Sequence, residues 1–288
     1  MIIKSFIFSY KNILIREIEK KKYLSFFRKI FNLLFKFLIN TAKKKFGLII
    51  NLDKQDHSKK INLPLEKLFE IFNSDKGSSF QTHDNKLLKS HNYTIFYEKY
   101  FKNLNSNKLR ILEIGSHEGK GLAAFYYFFK NSYFVGANIN PFQMKFCSKK
   151  IEEIYIDVSS KKIIKNFSKY NDKNFDIIID DASHNLRDIF ITLPILFRKL
   201  NPGGYYIIED INQFDVFKNL NPTNEKLTPL KFLKNLKANK KSNSKFVSEE
   251  DEMYLKNHIA EYFFEKGEMV VNDHNISDIV FLKKCLKN

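Results

Sequence analysis

Two apolar runs in this 288-residue chain end in carboxylates. Phe175, Ile177, Ile178 and Ile179 lead into Asp180, Asp181, Ser183 and His184, and Tyr205–Ile208 leads into Glu209 and Asp210. Open α/β sheets collect their ligands at the carboxyl ends of the strands. Carboxylates meeting there can hold a hard cation through oxygen, and an imidazole that titrates near neutrality can take a proton beside it. A plainer reading competes: the Asp pair and Ser183, ahead of "NLRDIF", can simply cap the helix that follows.

A second chemistry is offered by "EIGSHEGKG", Glu113–Gly121. Glycines between a strand and a helix let backbone approach a ligand closely at the helix N-terminus. Gly115, Gly119 and Gly121 are spaced G-x-x-x-G-x-G, not the G-x-G-x-x-G of dinucleotide sites, and Lys120 precedes Gly121 where a Walker loop has Ser or Thr. The loop therefore argues against NAD, FAD and nucleoside triphosphates.

The elements that must position these residues alternate. "LRILEIG" (109–115), "YFVGANI" (133–139), "EIYIDV" (153–158), "FDIIIDD" (175–181) and "GGYYIIEDI" (203–211) are short β-rich runs, each separated from the next by room for a helix. The tail from 261 to 285 reads as two strands around a short polar loop. The expected fold is α/β, a Rossmann-like doubly wound sheet of five parallel strands plus a C-terminal antiparallel hairpin. Residues 1–50 read as a basic amphipathic helical extension, 51–64 as a linker, 65–288 as the main domain, and 239–252 as an exposed loop.

The charge is uneven. The whole chain carries +17, but residues 1–50 hold twelve Lys/Arg and two Glu, a net of +10. Between Tyr23 and Ile39, Leu24, Phe27, Phe31, Leu34 and Leu38 follow helical spacing, with Ser25, Arg28, Lys29, Asn32 and Lys36 opposite. Such a helix either lies on an anionic membrane surface or packs on the main domain or a second subunit. No window of about 18 uncharged apolar residues suggests a membrane span. The opening "MIIKSFIFSYKNILI" is broken by Lys4 and Lys11 and lacks a signal-peptide layout. Cys147 and Cys285 form no disulfide framework, so a cytoplasmic location, with peripheral contact at the inner membrane surface, is expected.

Glu113-x-Gly115 after the first strand resembles the opening of the S-adenosylmethionine site in class I methyltransferases. "FDIIIDDASH" followed by "YYIIEDI", with "SDKGSSF" and "HNYTIFYEKYF" upstream (Ser74–Phe101), is similar to the metal-dependent macrolide-sugar O-methyltransferases and the cephalosporin hydroxylase-like proteins, over roughly Leu65–Cys285. The resemblance implies S-adenosylmethionine and magnesium as cofactors and a sugar hydroxyl as acceptor, on a glycan, a nucleotide sugar or a glycosylated metabolite. It implies that Asp181, Glu209 and Asp210 hold the cation and that His184 is the general base. It places Glu113, Gly115, Ser116 and Gly119 at the cofactor, with Asp157 at the adenine amino group and Asp180 as a structural or cofactor-side carboxylate. Asn138 stands where the family has an acidic residue for the ribose hydroxyls, and Asp75, Lys76 and Tyr93, together with His91, form a lid. Ala182 replaces a glycine common in relatives.

Two other readings follow from the charge and from Asn138. An RNA methyltransferase would use the positive charge, but that charge lies outside the main domain and no RNA-binding module is recognisable. A methyltransferase-like fold without catalysis would serve as a membrane-surface or subunit-interaction module, and homo-oligomerisation through the N-terminal helix fits either view.

Overall fold

A computed structural model describes residues 2–286 other than 58, 61 and 141. Two N-terminal helices, α1 (Ile2–Glu19) and α2 (Tyr23–Lys45), precede α3 (Leu65–Phe72) and α4 (Thr94–Phe101). Then come β1 (Arg110–Ile114), α5 (Lys120–Phe128), β2 (Tyr133–Asn138), β3 (Ile151–Tyr155), α6 (Lys161–Tyr170), β4 (Phe175–Asp180), α7 (Leu186–Phe197) and β5 (Leu200–Ile208). Helices α8 (Pro229–Lys237) and α9 (Glu249–His258) lead to β6 (Ile259–Lys266) and β7 (Asp278–Lys284). The seven strands form one sheet in the order β3-β2-β1-β4-β5-β7-β6. Strands β1 to β5 are parallel, and β7 and β6 close the sheet antiparallel, as expected.

Strand alternation divides the apolar residues between the two faces. Ile111, Ile177, Ile179 and Ile207 pack with α3, α4 and α5, while Leu112, Ile114, Ile178 and Ile208 pack toward α6 and α7. Each such residue, fully buried, contributes about 1.5–3 kcal/mol relative to exposure. Covered on both faces, the central strands carry near-continuous apolar sequence. Register then aligns the strand ends: Ile114 lies beside Asp180, and Asp180 beside Ile208, so the next residues emerge together at the carboxyl edge. Asn185 caps α7, its side chain accepting from the Arg187 N–H at 3.1 Å, and Ser183 donates to Asp188 at 2.9 Å. The cap thus leaves Asp180 and Asp181 for other work.

Several boundaries differ from the sequence expectation. The stretch 51–64 does not begin as a linker: Ile50–Asn51 pairs with Phe146–Cys147, Leu52 is buried, and Asp53 accepts hydrogen bonds from Tyr126, Ser148 and the Lys149 N–H. Its polar sequence hid side-chain acceptors rather than solvent contacts. The exposed loop expected over 239–252 ends early, because Ser248 accepts from the Asp251 N–H and starts α9 at Glu249. The tail hairpin is joined not by a short loop but by residues 267–277, which form a small ribbon of their own.

Nor do the first fifty residues stand apart as one unit. Helix α1 covers the sheet edge at β3, where Ser9 Oγ accepts from the Tyr155 N–H at 2.9 Å, Asn12 accepts from Asn166 at 2.9 Å, and Phe8 packs on Tyr170. An otherwise open strand edge is protected in this way. Arg16 of α1 reaches the buried Asp157 with Nε–Oδ2 at 2.6 Å. Removing that partner strands a buried carboxylate, so Arg16→Ala is expected to lower the unfolding free energy by about 1–3 kcal/mol in urea titrations; a change within about 0.5 kcal/mol would mean that α1 merely rests on the sheet.

Candidate functional site

The glycine loop and the ends of β4 and β5 meet by close backbone contact. The Asp181 N–H bonds to the Ile114 carbonyl at 2.9 Å, and the Glu209 N–H to the Asp180 carbonyl at 3.1 Å. Gly115 has φ +90°, and a Cβ there would stand 1.8 Å from the Asp181 carbonyl oxygen, so no side chain fits. At Gly121 a Cβ would meet Glu113 Oε1 and the Lys76 side chain at 2.9 Å. Lys76 can therefore lie flat across the start of α5.

Lys76 is the centre of the arrangement. Its ammonium donates to Asp181 Oδ2 at 2.6 Å and to Glu209 Oε2, and lies 3.4 Å from Glu113 Oε1. Burial works against its charge, but Asp181, Glu209 and Glu113 together raise its pKa well above the ordinary lysine value. Glu209 also accepts from the Tyr97 hydroxyl, one helical turn beyond Tyr93. Burial, with the Asp181 charge beside it, nonetheless holds the Glu209 carboxyl well above its usual range. Glu113, pushed up to about 7 chiefly by burial, keeps Oε2 without a hydrogen-bond partner.

Asp210 forms the second centre. Tyr93 donates to its Oδ1 at 2.6 Å, Gln213 donates to Oδ2 at 2.9 Å, and His91 Nδ1 lies 3.1 Å from Oδ1. Burial alone would raise the Asp210 carboxyl, yet His91, His184 and Tyr93 hold it below the usual range. His91 is lifted in turn, Asp210 outweighing the effect of burial on the ring. His184 Nε2 stands 3.6 Å from Asp181 Oδ1 and 3.8 Å from Asp210 Oδ2. Both His184 and Asp210 have positive φ, +50° and +53°, a conformation that polar residues adopt at some cost to aim their side chains.

Among the described residues, Asp181, His184 and Asp210 bring one ligand atom each within 4.8 Å of one another. Oxygen donors with one imidazole, beside two positive-φ residues, suit a hard divalent cation with room for further oxygen ligands. Glu209, expected in that set, is instead engaged by Lys76 and Tyr97. A cleft of about 230 Å³ is lined by Asp75, Lys76, His91, Asp181, His184, Glu209, Asp210 and Gln213, with Met269 and Ile276 from the 267–277 excursion. The upstream element is thus part of the site.

Other expected residues lie around it. Ser116 Oγ is buried without a partner, and Gly119 begins α5, so the loop offers a polar group and helix N–H donors to a ligand. Asn138 ends β2 buried, its amide donating to the His117 carbonyl at 3.3 Å. Asp180 points to the opposite face, where Tyr206 donates to it at 2.8 Å, and burial raises its pKa to about 6. Asp157, expected at the adenine amino group, accepts from Ser159 on one oxygen and from Arg16 on the other. Tyr97, Gln213, Met269, Ile276 and Arg16 were not singled out from sequence. Only Tyr97 carried a local signal, its spacing of four from Tyr93.

Three carboxylates that share one buried ammonium cannot lose it cheaply. Lys76→Met is expected to cost about 3–5 kcal/mol in urea unfolding with chelator present, and magnesium is expected to recover part of that loss. Wild-type stability in the variant would show that Lys76 does not hold the cluster together.

A family model described as Methyltransferase domain matches residues 105–268. Among characterised proteins, 8-demethyl-8-alpha-L-rhamnosyl tetracenomycin-C 2'-O-methyltransferase of Streptomyces olivaceus is 26% identical over 128 residues, which is 42% of this chain and 33% of that protein. Mycinamicin VI 2''-O-methyltransferase of Micromonospora griseorubida is 28% identical over 128 residues, 42% of this chain and 32% of that protein. The matches thus span about a third of the length of these relatives. MycE methyltransferase from the mycinamycin biosynthetic pathway, solved in complex with Mg, SAH and mycinamycin VI, has a similar fold, with a TM-score of 0.57 at 22% identity over 77% of this chain and 55% of that one. Sheet order, glycine loop and family match agree: the chain belongs to the Methyltransferase domain family.

Proposed function

We propose that this protein is an S-adenosylmethionine-dependent O-methyltransferase that uses a divalent cation, magnesium by its oxygen-rich donors, to methylate a sugar hydroxyl. The observation that carries this reading is the convergence of Asp181, His184 and Asp210 beside a glycine loop whose Glu113 and Ser116 retain unpartnered buried polar atoms. Relatives named for 2'-O- and 2''-O-methylation of glycosylated antibiotics support the sugar acceptor.

When bound, S-adenosylmethionine supplies an electrophilic methyl group, and the cation supplies positive charge that raises the acidity of a nearby hydroxyl. Asp181 and Asp210 would hold the cation. The Glu113 carboxylate and Ser116 would orient the amino-acid end of the cofactor, and Asn138 would meet its ribose with a neutral acceptor and the amide hydrogen not used on His117. His184 Nε2, 3.6 Å from Asp181 Oδ1 and 3.8 Å from Asp210 Oδ2, would accept the acceptor hydroxyl's proton. Met269 and Ile276 give the cleft its apolar wall and exclude water from the reacting oxygen.

Asp181→Asn and His184→Gln are each expected to reduce transfer of a labelled methyl to a sugar acceptor by about 10²–10⁴-fold, with the unfolding midpoint and cofactor binding retained in His184→Gln. Full activity in either variant would remove that residue from the reaction. A cationic ligand beside Glu113 favours its ionised form, so binding below its pKa of about 7 must expel a proton. S-adenosylmethionine is therefore expected to bind more tightly at pH 8 than at pH 6 in equilibrium dialysis, and Glu113→Gln is expected to abolish the difference. Equal affinity at both pH values in the wild type would place the cofactor away from Glu113.

A further inference from the structure

Helix α2 contributes no residue to the cleft lined by Asp181, His184 and Asp210. Its sequence contains six Lys/Arg and no Asp or Glu. Its inner side meets α1, where Lys29 pairs with Glu17 at 2.5 Å, and Asn40 is buried near its end. The outer side is different: Leu24 is 92% exposed, and Phe35 and Leu38 are each 65% exposed. These residues lie on one side of the helix, with exposed Arg28 and Lys43 along its flank. Phe46 and Leu48, just past the helix, continue the apolar surface at 75% and 68% exposure. Large apolar side chains left in water at helical spacing mark an interaction surface.

We infer that α2 lies in the interface of an anionic lipid bilayer, with Leu24, Phe35, Leu38, Phe46 and Leu48 entering the acyl boundary and Arg28 and Lys43 meeting the headgroups. Charge complementarity selects this occupant. A helix with six Lys/Arg and no acidic residue, in a fifty-residue segment of net +10, is repelled by a second copy of itself and attracted by a negative surface. Among the described residues no helix is long and apolar enough to cross a membrane, so the contact is peripheral. The anchoring of α1 on β3 and Asp157 ties the lipid-facing helix to the catalytic sheet, and Arg28, Leu24 and their neighbours can be changed without touching the core.

The test uses the whole chain, sedimented with vesicles of phosphatidylcholine alone or with about 30 mol% phosphatidylglycerol. Binding is expected only with phosphatidylglycerol, and it is expected to be lost at high salt. The triple variant Leu24→Ser, Phe35→Ser, Leu38→Ser and the charge variant Arg28→Gln, Lys43→Gln are each expected to bind at least about tenfold more weakly. Their unfolding midpoints and oligomeric state should be unchanged. No sedimentation with anionic vesicles, equal binding to neutral ones, or a triple variant that alters only the monomer–dimer distribution would overturn the inference; the last would assign the face to a second copy of this chain.

Discussion

The structure depends on one electrostatic arrangement: the Lys76 ammonium, buried against Glu113, Asp181 and Glu209. A buried ammonium of this kind is costly unless opposite charges surround it. Its three partners come from three neighbouring strands: Glu113 from the end of β1, Asp181 from just after β4 and Glu209 from just after β5. Each must arrive beside the ammonium for that charge to stay buried. The sheet supplies that precision, because register brings Ile114, Asp180 and Ile208 abreast and forces the following residues into one edge. Gly115 removes a side chain that would keep the loop from the end of β4, and Gly121 one that would displace Lys76.

Two neighbouring centres result. In the first, Lys76 satisfies Glu209 and half of Asp181, leaving Glu113 partly unpaired toward the loop. In the second, Asp210 stays ionised because His91, His184 and Tyr93 surround it. Asp181 belongs to both, with one oxygen on Lys76 and the other near His184. A cofactor at the first centre and a cation at the second would therefore feel each other through a single carboxylate.

Much of this was legible in the chain. Strand ends could be located because parallel strands buried on both faces carry unbroken apolar runs, and polar residues that terminate such runs stand out. Asp181, His184 and Asp210 were found in that way. What could not be read were pairings set by distant residues. Arg16 meets Asp157 across 141 positions, while Lys76 meets Asp181 across 105 and Glu209 across 133. Asp53 gave no periodic signal either, since it works through three side-chain acceptances in an irregular segment. The two N-terminal helices are both apolar and basic, although only α1 contains Glu, and their contacts separate them: α1 covers the sheet edge and α2 turns an apolar face outward.

The central claim is that the β4 and β5 ends form a cation site beside a cofactor loop. A crystal structure grown with S-adenosylhomocysteine and manganese, with data collected at the manganese edge, tests it most directly. The account predicts one anomalous peak bounded by Asp181 and Asp210, with the cofactor's amino-acid end at Glu113. A cofactor-bound structure with no peak there, or with the metal bound elsewhere, would contradict it.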